Sequence, residues 1–244
     1  MSRGPCSPAR LPGGVRAFLA LDFPSARAAL AQLRRLGSAR CGLKVGLELF
    51  TAAGPPLVRR LRAEGWRVFL DLKLHDIPRT MEGAARAAGA LGADLVTVHA
   101  AAGPEGVAAA VAGVRGSGAR ILAVTVLTSE GGEVAGRVLE LGRSALGAGA
   151  HGLVLAVSEV RRMRAAGGPG GLLVTPGIRF DDNEIHDQKR VATPARAGAE
   201  GADAMVLGRA VWEAPDPAGA LARALLEYRR GRRSGPAGSG AEVD

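Results

Sequence analysis

Residues 67–99 read RVFLDLKLHDIPRTMEGAARAAGALGADLVTVH, and they hold one complete unit of the fold. Arg67 to Lys73 is a short apolar and β-branched run that predicts a strand. Pro78 follows, just before Arg79 to Leu91, an Ala-rich stretch of helical period; a proline is tolerated at a helix start because its missing N–H has no intrahelical partner there. Leu91-Gly92-Ala93-Asp94 then ends the helix and returns the chain to a second strand, Asp94 to His99. Strand, helix and strand in that order form a βαβ unit, which implies a parallel sheet.

The same alternation runs outward in both directions. The other predicted strands are Val15 to Leu21, Gly42 to Val45, Ile121 to Val126, Gly152 to Val157, Leu172 to Thr175 and Ala204 to Leu207. The other predicted helices are Ser25 to Leu36, Pro55 to Glu64, Pro104 to Val114, Val134 to Leu146, Glu159 to Ala166, Lys189 to Ala199 and Ala218 to Arg229. Eight strands is the number that closes a barrel, and no linker long enough to separate two domains interrupts them. The expectation is an α/β protein with a single (β/α)8 TIM barrel over residues 15–230. A flexible leader is expected at 1–14 and a disordered tail at 231–244, both rich in Gly, Pro and Arg. The rival fold, a doubly wound sheet, usually carries a glycine-rich phosphate turn after its first strand. Here that strand ends in Leu21-Asp22-Phe23-Pro24, and neither GxGxxG nor GxxxxGK[ST] follows any strand.

Composition narrows the function. The net charge of +9 is partly terminal: Arg3 and Arg10 at one end, and four arginines against Glu242 and Asp244 at the other, leave about +5 for the body. A modest positive body suits an anionic substrate. Only eight of the 244 residues are aromatic and none forms a basic stacking platform, so no nucleic-acid partner is expected. Cys6 and Cys41 provide no disulfide framework, which points to a reducing cytoplasm, and Cys41 reads as a small core residue. The arginine-bearing leader lacks an apolar h-region, and Gly, Arg or Asp interrupts every long apolar run, so neither a secretory signal nor a membrane span is expected.

The lysines point to the chemistry. Against 29 arginines the chain keeps three lysines, Lys44, Lys73 and Lys189, and two of them lie in or at the end of apolar strands, in GLKVG and FLDLKLHD. Lysine is a compact charge that can give up a proton, whereas arginine effectively cannot. Strand period two puts Asp71 and Lys73 on one face at the barrel mouth, with Leu72 on the other. Asp76 lies in the following loop, on the catalytic face of a barrel, and Lys44 from the neighbouring strand can reach Asp71. The result is an alternating array of Lys44, Asp71, Lys73 and Asp76. Buried charges are expensive unless paired, so such an array is better explained by preorganised electrostatics than by stability. Two plainer readings compete: Lys44 as a snorkelling strand-end residue, and a divalent metal among Asp71, Asp76 and His99. The four histidines, His75, His99, His151 and His186, show no HExxH spacing.

Beyond the DxKxxD core, the strings LALDFP, GLKVGLELF, VTVHAAAG, TVLTS, VTPGIR, DQKRVATPARA and VLGRAVWEAPDP resemble the orotidine 5'-monophosphate decarboxylase family over residues 16–229. The core alone marks a wider superfamily of phosphosugar enzymes; LTS, TPGIR and the DQ ahead of RVATP are specific to the nucleotide enzyme. The resemblance implies decarboxylation of orotidine 5'-phosphate to uridine 5'-phosphate, in UMP biosynthesis, with no metal and no cofactor. It casts Lys73 as the general acid toward C6 of the pyrimidine and Asp71 beside the substrate carboxylate. Lys44 and Asp22 would take the ribose hydroxyls, and Thr128 the pyrimidine ring. Ile77 and Pro176 would form apolar wall, Gln188 would link phosphate to base, and Arg179, Gly208 and Arg209 would grip the phosphate. The rest of the run, Leu72, Leu74, His75, Pro78, Arg79 and Thr80, is expected to line the same site. The resemblance also implies a homodimer in which Asp76 enters the partner's site.

Residue chemistry agrees at the phosphate end, because Gly177-Ile178-Arg179 and Gly208-Arg209 follow the seventh and eighth strands, where barrels often bind phosphate. Phe180 to Gln188 reads as a loop that closes over ligand. His151 departs from the family, standing where an acid usually precedes the sixth strand, as does Leu155-Ala156 in place of a frequent Cys-Ser pair. Two further readings remain: a magnesium-dependent enzyme on the same fold acting on a phosphorylated keto-sugar, and a non-catalytic nucleotide-binding barrel.

Overall fold

The computed structural model of the chain describes residues 11, 14–127, 135–166, 170–180 and 192–235. Eight parallel strands close in chain order into one barrel: β1 (Ala17–Ala20), β2 (Gly42–Gly46), β3 (Arg67–Leu74), β4 (Leu95–His99), β5 (Arg120–Val124), β6 (Gly152–Val154), β7 (Leu172–Ile178) and β8 (Ala204–Leu207). The helices around it are α1 (Ala26–Arg34), α2 (Leu47–Ala63), α3 (Pro78–Ala90), α4 (Gly103–Gly113), α5 (Ala135–Gly147), α6 (Val157–Ala165), α7 (Pro194–Glu200), α8 (Arg209–Trp212) and α9 (Pro217–Ser234). Strands covered on both faces must be apolar on both, which is why they read as short continuous apolar runs. Leu19, Val45, Val96 and Ile121 face the helices, while Phe18, Phe69, Leu95, Leu122, Leu172 and Val206 fill the barrel. The rings of Phe18 and Phe69 meet edge to face at 5.4 Å. A Cβ at Gly42 would overlap the Phe18 ring, so this glycine makes room for the largest filler of the interior.

Several boundaries differ from the sequence reading, each for a local reason. Leu11, expected in a flexible leader, is buried among Phe18, Phe69 and Leu95 inside the barrel, and its carbonyl accepts from the Gly14 N–H at 3.1 Å. Helix α2 starts eight residues before Pro55 and kinks at Gly54, whose φ of 59° interrupts the helical path ahead of Pro55 and Pro56. Strand β6 stops at Val154, because Ala156 already caps α6 with its N–H donating to Glu159 Oε2 at 2.9 Å. Helix α7 starts at Pro194 rather than Lys189: Ala192 still pairs with Ile178, and the Thr193 hydroxyl caps the helix by accepting from Arg196 N. Helix α9 continues through 231–234, where a tail was expected, since Tyr228 Oη and Arg232 Nη1 both donate to the Ala202 carbonyl, at 2.6 and 2.9 Å. The short α8 was not anticipated at all.

At the floor of the barrel, three strands are tied by the side chain that precedes the next strand. Asp94 accepts from Val68 N at 2.8 Å, Asp203 from Leu173 N at 2.8 Å, and His151 Nδ1 from Ile121 N at 3.0 Å. Arg62 and Arg67 hold Asp94, and Arg164 holds Asp203. Among the described residues no helix is long and apolar enough to cross a membrane.

Candidate active site

Inward-facing positions change character toward the C-terminal ends of the strands. Phe18 and Ala20 on β1 give way to Asp22, Gly42 on β2 to Lys44, Phe69 on β3 to Asp71 and then Lys73, and Leu95 on β4 to Thr97. Period two along each strand makes one polar layer of them above an apolar filling. Asp71 is its centre: Oδ2 lies 2.9 Å from Lys73 Nζ and 3.3 Å from Lys44 Nζ, while Oδ1 accepts from the Thr97 hydroxyl at 2.9 Å. Lys44 reaches on to Asp22 Oδ1 at 3.3 Å. Within one chain the order is therefore Asp22, Lys44, Asp71, Lys73. The side chains of Lys44 and Asp71 are each 12% exposed, Lys73 30% and Asp22 63%, so the array runs from interior to mouth.

The protonation states follow from the pairing. Burial works to push the Asp71 carboxyl up, but Lys44, Lys73 and the hydrogen bonds from Lys73 and Thr97 outweigh it and hold the group below its ordinary range. Burial likewise opposes the Lys44 ammonium, and Asp71 with Asp22 overcomes it, so this lysine stays charged above its ordinary range. Lys44 is thus an ion-paired member of the array, and the snorkelling reading does not hold.

The third strand reaches this geometry through a bulge. Leu70 pairs with Val96, but Leu74 pairs with Val98, so β3 carries two extra residues opposite Thr97. Lys73 sits in the bulge at φ 50°, the one non-glycine residue with positive φ among the described residues. A second irregularity lies across the barrel, where Thr175 pairs with Met205 and Ile178 with Leu207, leaving one extra residue in β7. Gly177 stands there at φ 74°, a conformation that disfavours any side chain. Mutual bonds between Gly177 O and Ala192 N (3.1 Å) and between Arg179 N and Ala192 O (3.0 Å) fix the end of this strand. Trp212 Nε1 donates to Ala20 O at 2.7 Å and ties α8, which follows Gly208, to β1.

These elements surround a cavity of about 500 Å3. Asp22, Lys44, Asp71 and Lys73 line one side, Gly177, Arg179, Gly208 and Arg209 another, and Val124, Val126, Leu155, Pro176 and Ile178 the apolar remainder. Among the described lining residues, four cations face two carboxylates, which suits a polyanionic ligand.

Not every predicted position joins this cavity. Leu72 and Leu74 turn outward and pack against the barrel–helix core. His75, Asp76, Ile77, Pro78, Arg79 and Thr80 lie exposed on the rim, with the His75 ring 5.6 Å from that of His99. Asp76 does not complete the array within its own chain, because its Oδ1 turns to accept from Ile77 N at 2.6 Å. Among the described residues no three His, Cys, Asp or Glu side chains gather as a metal set. Cys41 is a partly buried free thiol whose pKa burial pushes up to about 12. Thr128, Gln188 and the loop from 181 to 188 lie outside the described residues. Thr97 was missed by the sequence reading, although period two from Leu95 already places it on the inward face.

Fold and site together define a (β/α)8-barrel enzyme built on a buried chain of alternating carboxylates and ammoniums. The profile of the orotidine 5'-phosphate decarboxylase / HUMPS family matches residues 16–224. An orotidine 5'-phosphate decarboxylase from Anaeromyxobacter sp. (strain K) is 53% identical over 220 residues, covering 86% of this chain and 96% of that protein. One from Halorhodospira halophila is 45% identical over 229 residues, with 89% and 97% covered. Among solved structures, the orotidine 5'-phosphate decarboxylase from Lactobacillus acidophilus superposes with a TM-score of 0.78 at 34% identity, covering 88% of this chain and 99% of that one. The chain belongs to the orotidine 5'-phosphate decarboxylase / HUMPS family.

Proposed function

We propose that this enzyme converts orotidine 5'-phosphate to uridine 5'-phosphate and CO2, a step of UMP biosynthesis, with Lys73 as the general acid. The observation that carries the reading is a single carboxylate oxygen, Asp71 Oδ2, in contact with two ammoniums at the wall of a cavity of about 500 Å3. That volume lies within the roughly 300–1,000 Å3 that small-molecule sites occupy.

The C6–carboxylate bond breaks, CO2 leaves, and the electron pair stays on C6, where the ring offers no simple delocalisation. The Lys73 ammonium faces that developing charge and then gives its proton to C6; solvent reprotonates the amine. Asp71 keeps Lys73 aimed through the contact at 2.9 Å, and its own charge sits against the substrate carboxylate, whose loss relieves the repulsion. Asp22 and Lys44 take the ribose hydroxyls. Arg179 and Arg209, with the open backbone at Gly177 and Gly208, take the phosphate, whose binding energy holds the reacting ring in register with Lys73. Pro176 supplies apolar wall. Thr128 and Gln188 take the pyrimidine ring and the phosphate-to-base link on the strength of the family resemblance alone.

The exposed rim around Asp76, where Ile77 is 65% exposed, supports a homodimer in which Asp76 enters the partner's cavity. A reducing cytoplasm remains the compartment that the cysteine usage favours.

Absorbance-monitored turnover of orotidine 5'-phosphate in excess chelator tests the reaction, and the Lys73→Ala variant tests the acid. Expected are undiminished turnover with chelator, and near-complete loss in the variant with an unchanged circular dichroism spectrum. Loss of activity with chelator would favour magnesium-dependent chemistry on a phosphorylated sugar, and wild-type turnover in Lys73→Ala would remove the proposed acid. Light scattering at assay concentration tests the dimer, since a strictly monomeric active enzyme rules out a shared Asp76.

A further inference from the structure

We propose that Thr97 is a positioning residue for the reaction, setting the Asp71–Lys73 pair through one hydroxyl that holds both partners. The inference rests on the decarboxylase reading above. Thr97 is fully buried on β4, and its Oγ1 lies 2.9 Å from Lys73 N and 2.9 Å from Asp71 Oδ1. A backbone N–H can only donate, so the hydroxyl accepts from Lys73 and its own proton goes to Asp71. Both bonds therefore have a fixed direction.

Each bond answers a specific need. The β3 bulge leaves the Lys73 N–H opposite the Thr97 side chain, and an orphaned buried N–H is costly. Lys73 also holds a left-handed conformation that disfavours a residue with a side chain, and such a conformation persists only when its surroundings over-determine it. Thr97 supplies the partner. On the other side, the two ammoniums both lie against Asp71 Oδ2, which leaves the rotation of the carboxylate to whatever binds Oδ1. Thr97 is that group. The hydroxyl thus fixes the plane of the carboxylate and the backbone from which Lys73 springs, and it also helps hold Asp71 ionised.

The test compares Thr97→Val, which keeps the shape and removes both bonds, with Thr97→Ser, which keeps the hydroxyl. Expected for Thr97→Val is a kcat lower by about 10- to 100-fold with KM changed by less than about threefold, as misalignment of an otherwise intact site should give. The acid limb of its kcat profile should move to higher pH, because Asp71 loses a donor to its charged form. Thr97→Ser should lie within about threefold of wild type. Equal kcat and equal acid limbs in Thr97→Val and wild type would overturn the proposal, as would lowered thermal stability with kcat per folded enzyme unchanged. If Thr97→Val does not fold, Thr97→Cys, of similar volume and weaker hydrogen bonding, is expected between Ser and Val, and wild-type kcat there overturns the proposal equally. Absence of orotidine 5'-phosphate turnover in the wild-type enzyme itself would instead reject the underlying reading.

Discussion

Replacing Asp71 by asparagine removes one charge and keeps the shape, leaving two ammoniums around a neutral amide. Lys44 Nζ lies 3.3 Å and Lys73 Nζ 2.9 Å from the same carboxylate oxygen. The two nitrogens are therefore at most about 6 Å apart, where two unit charges repel by about 3 kcal/mol at an effective dielectric constant of about 20. Asp22 remains beside Lys44, but it is 63% exposed and screened, and it offsets little of this. That repulsion is present in both proteins; what Asp71→Asn removes is the pair of attractions that offsets it, less the burial cost of the carboxylate. The variant should therefore be less stable than wild type by about 3–5 kcal/mol near pH 7, as when a buried pair loses one partner.

The pH dependence gives the cause away. In the wild-type protein the lowered Asp71 contributes stability that is present above the ordinary carboxylate value of 3.8 and is lost as pH falls through its folded value. The raised Lys44 contributes stability that is present below 10.5 and is lost as pH rises through its folded value. Between them the array contributes a constant amount. In the variant, burial and the neighbouring ammonium push the Lys44 value down instead, so the folded state sheds a proton that the unfolded chain keeps, and stability climbs with pH by up to about 1.4 kcal/mol per unit. Urea unfolding followed by circular dichroism near pH 7 and near ~9.5 reads this directly. The deficit should shrink at the higher pH, and adding Lys44→Met should recover most of it at both. A deficit below about 1 kcal/mol, or one equal at the two pH values, would refute the electrostatic account.

Three other outcomes are expected. Burial, with the Arg120 charge adding to it, holds His151 below its ordinary value of 6.5, so its contribution is present above that value and is lost as pH falls through it. His151→Asp, whose carboxylate takes the Ile121 N–H as Asp94 takes that of Val68, should flatten the fall in melting temperature on acidification below pH 6.5; an unchanged slope would contradict this. Leu11→Ala empties a filled place in the barrel interior and should lower the unfolding free energy by about 2–4 kcal/mol in a urea titration, whereas a change within error would mean that Leu11 does not fill the barrel interior. A methyl group at Gly231 would overlap the Ala195 carbonyl where α9 crosses α7, so Gly231→Ala should cost about 1–3 kcal/mol by thermal melt, and an unaffected melting temperature would show that the helices can part freely.

The repeating alternation in residues 67–99 and its echoes determined the barrel, because strands buried on two faces and helices buried on one leave different periods in the chain, each set by local geometry alone. The scarcity of lysine singled out Lys44 and Lys73, and period two placed Asp71 beside Lys73. Period two also placed Thr97 inward, but threonine is common in strands, and nothing local marks one that will face a bulge two strand positions deep. Whether Leu11 joins the leader or the core, whether Asp76 turns to its own chain, and how far α9 runs each depend on a surface made by residues distant in sequence: Phe18 and Leu95 for Leu11, the Ala202 carbonyl for α9. The bulge that holds the Lys73 backbone at positive φ, with its N–H on Thr97, is of the same kind. It is a matter of register between β3 and β4, a pairing of two strands that no single stretch of sequence carries.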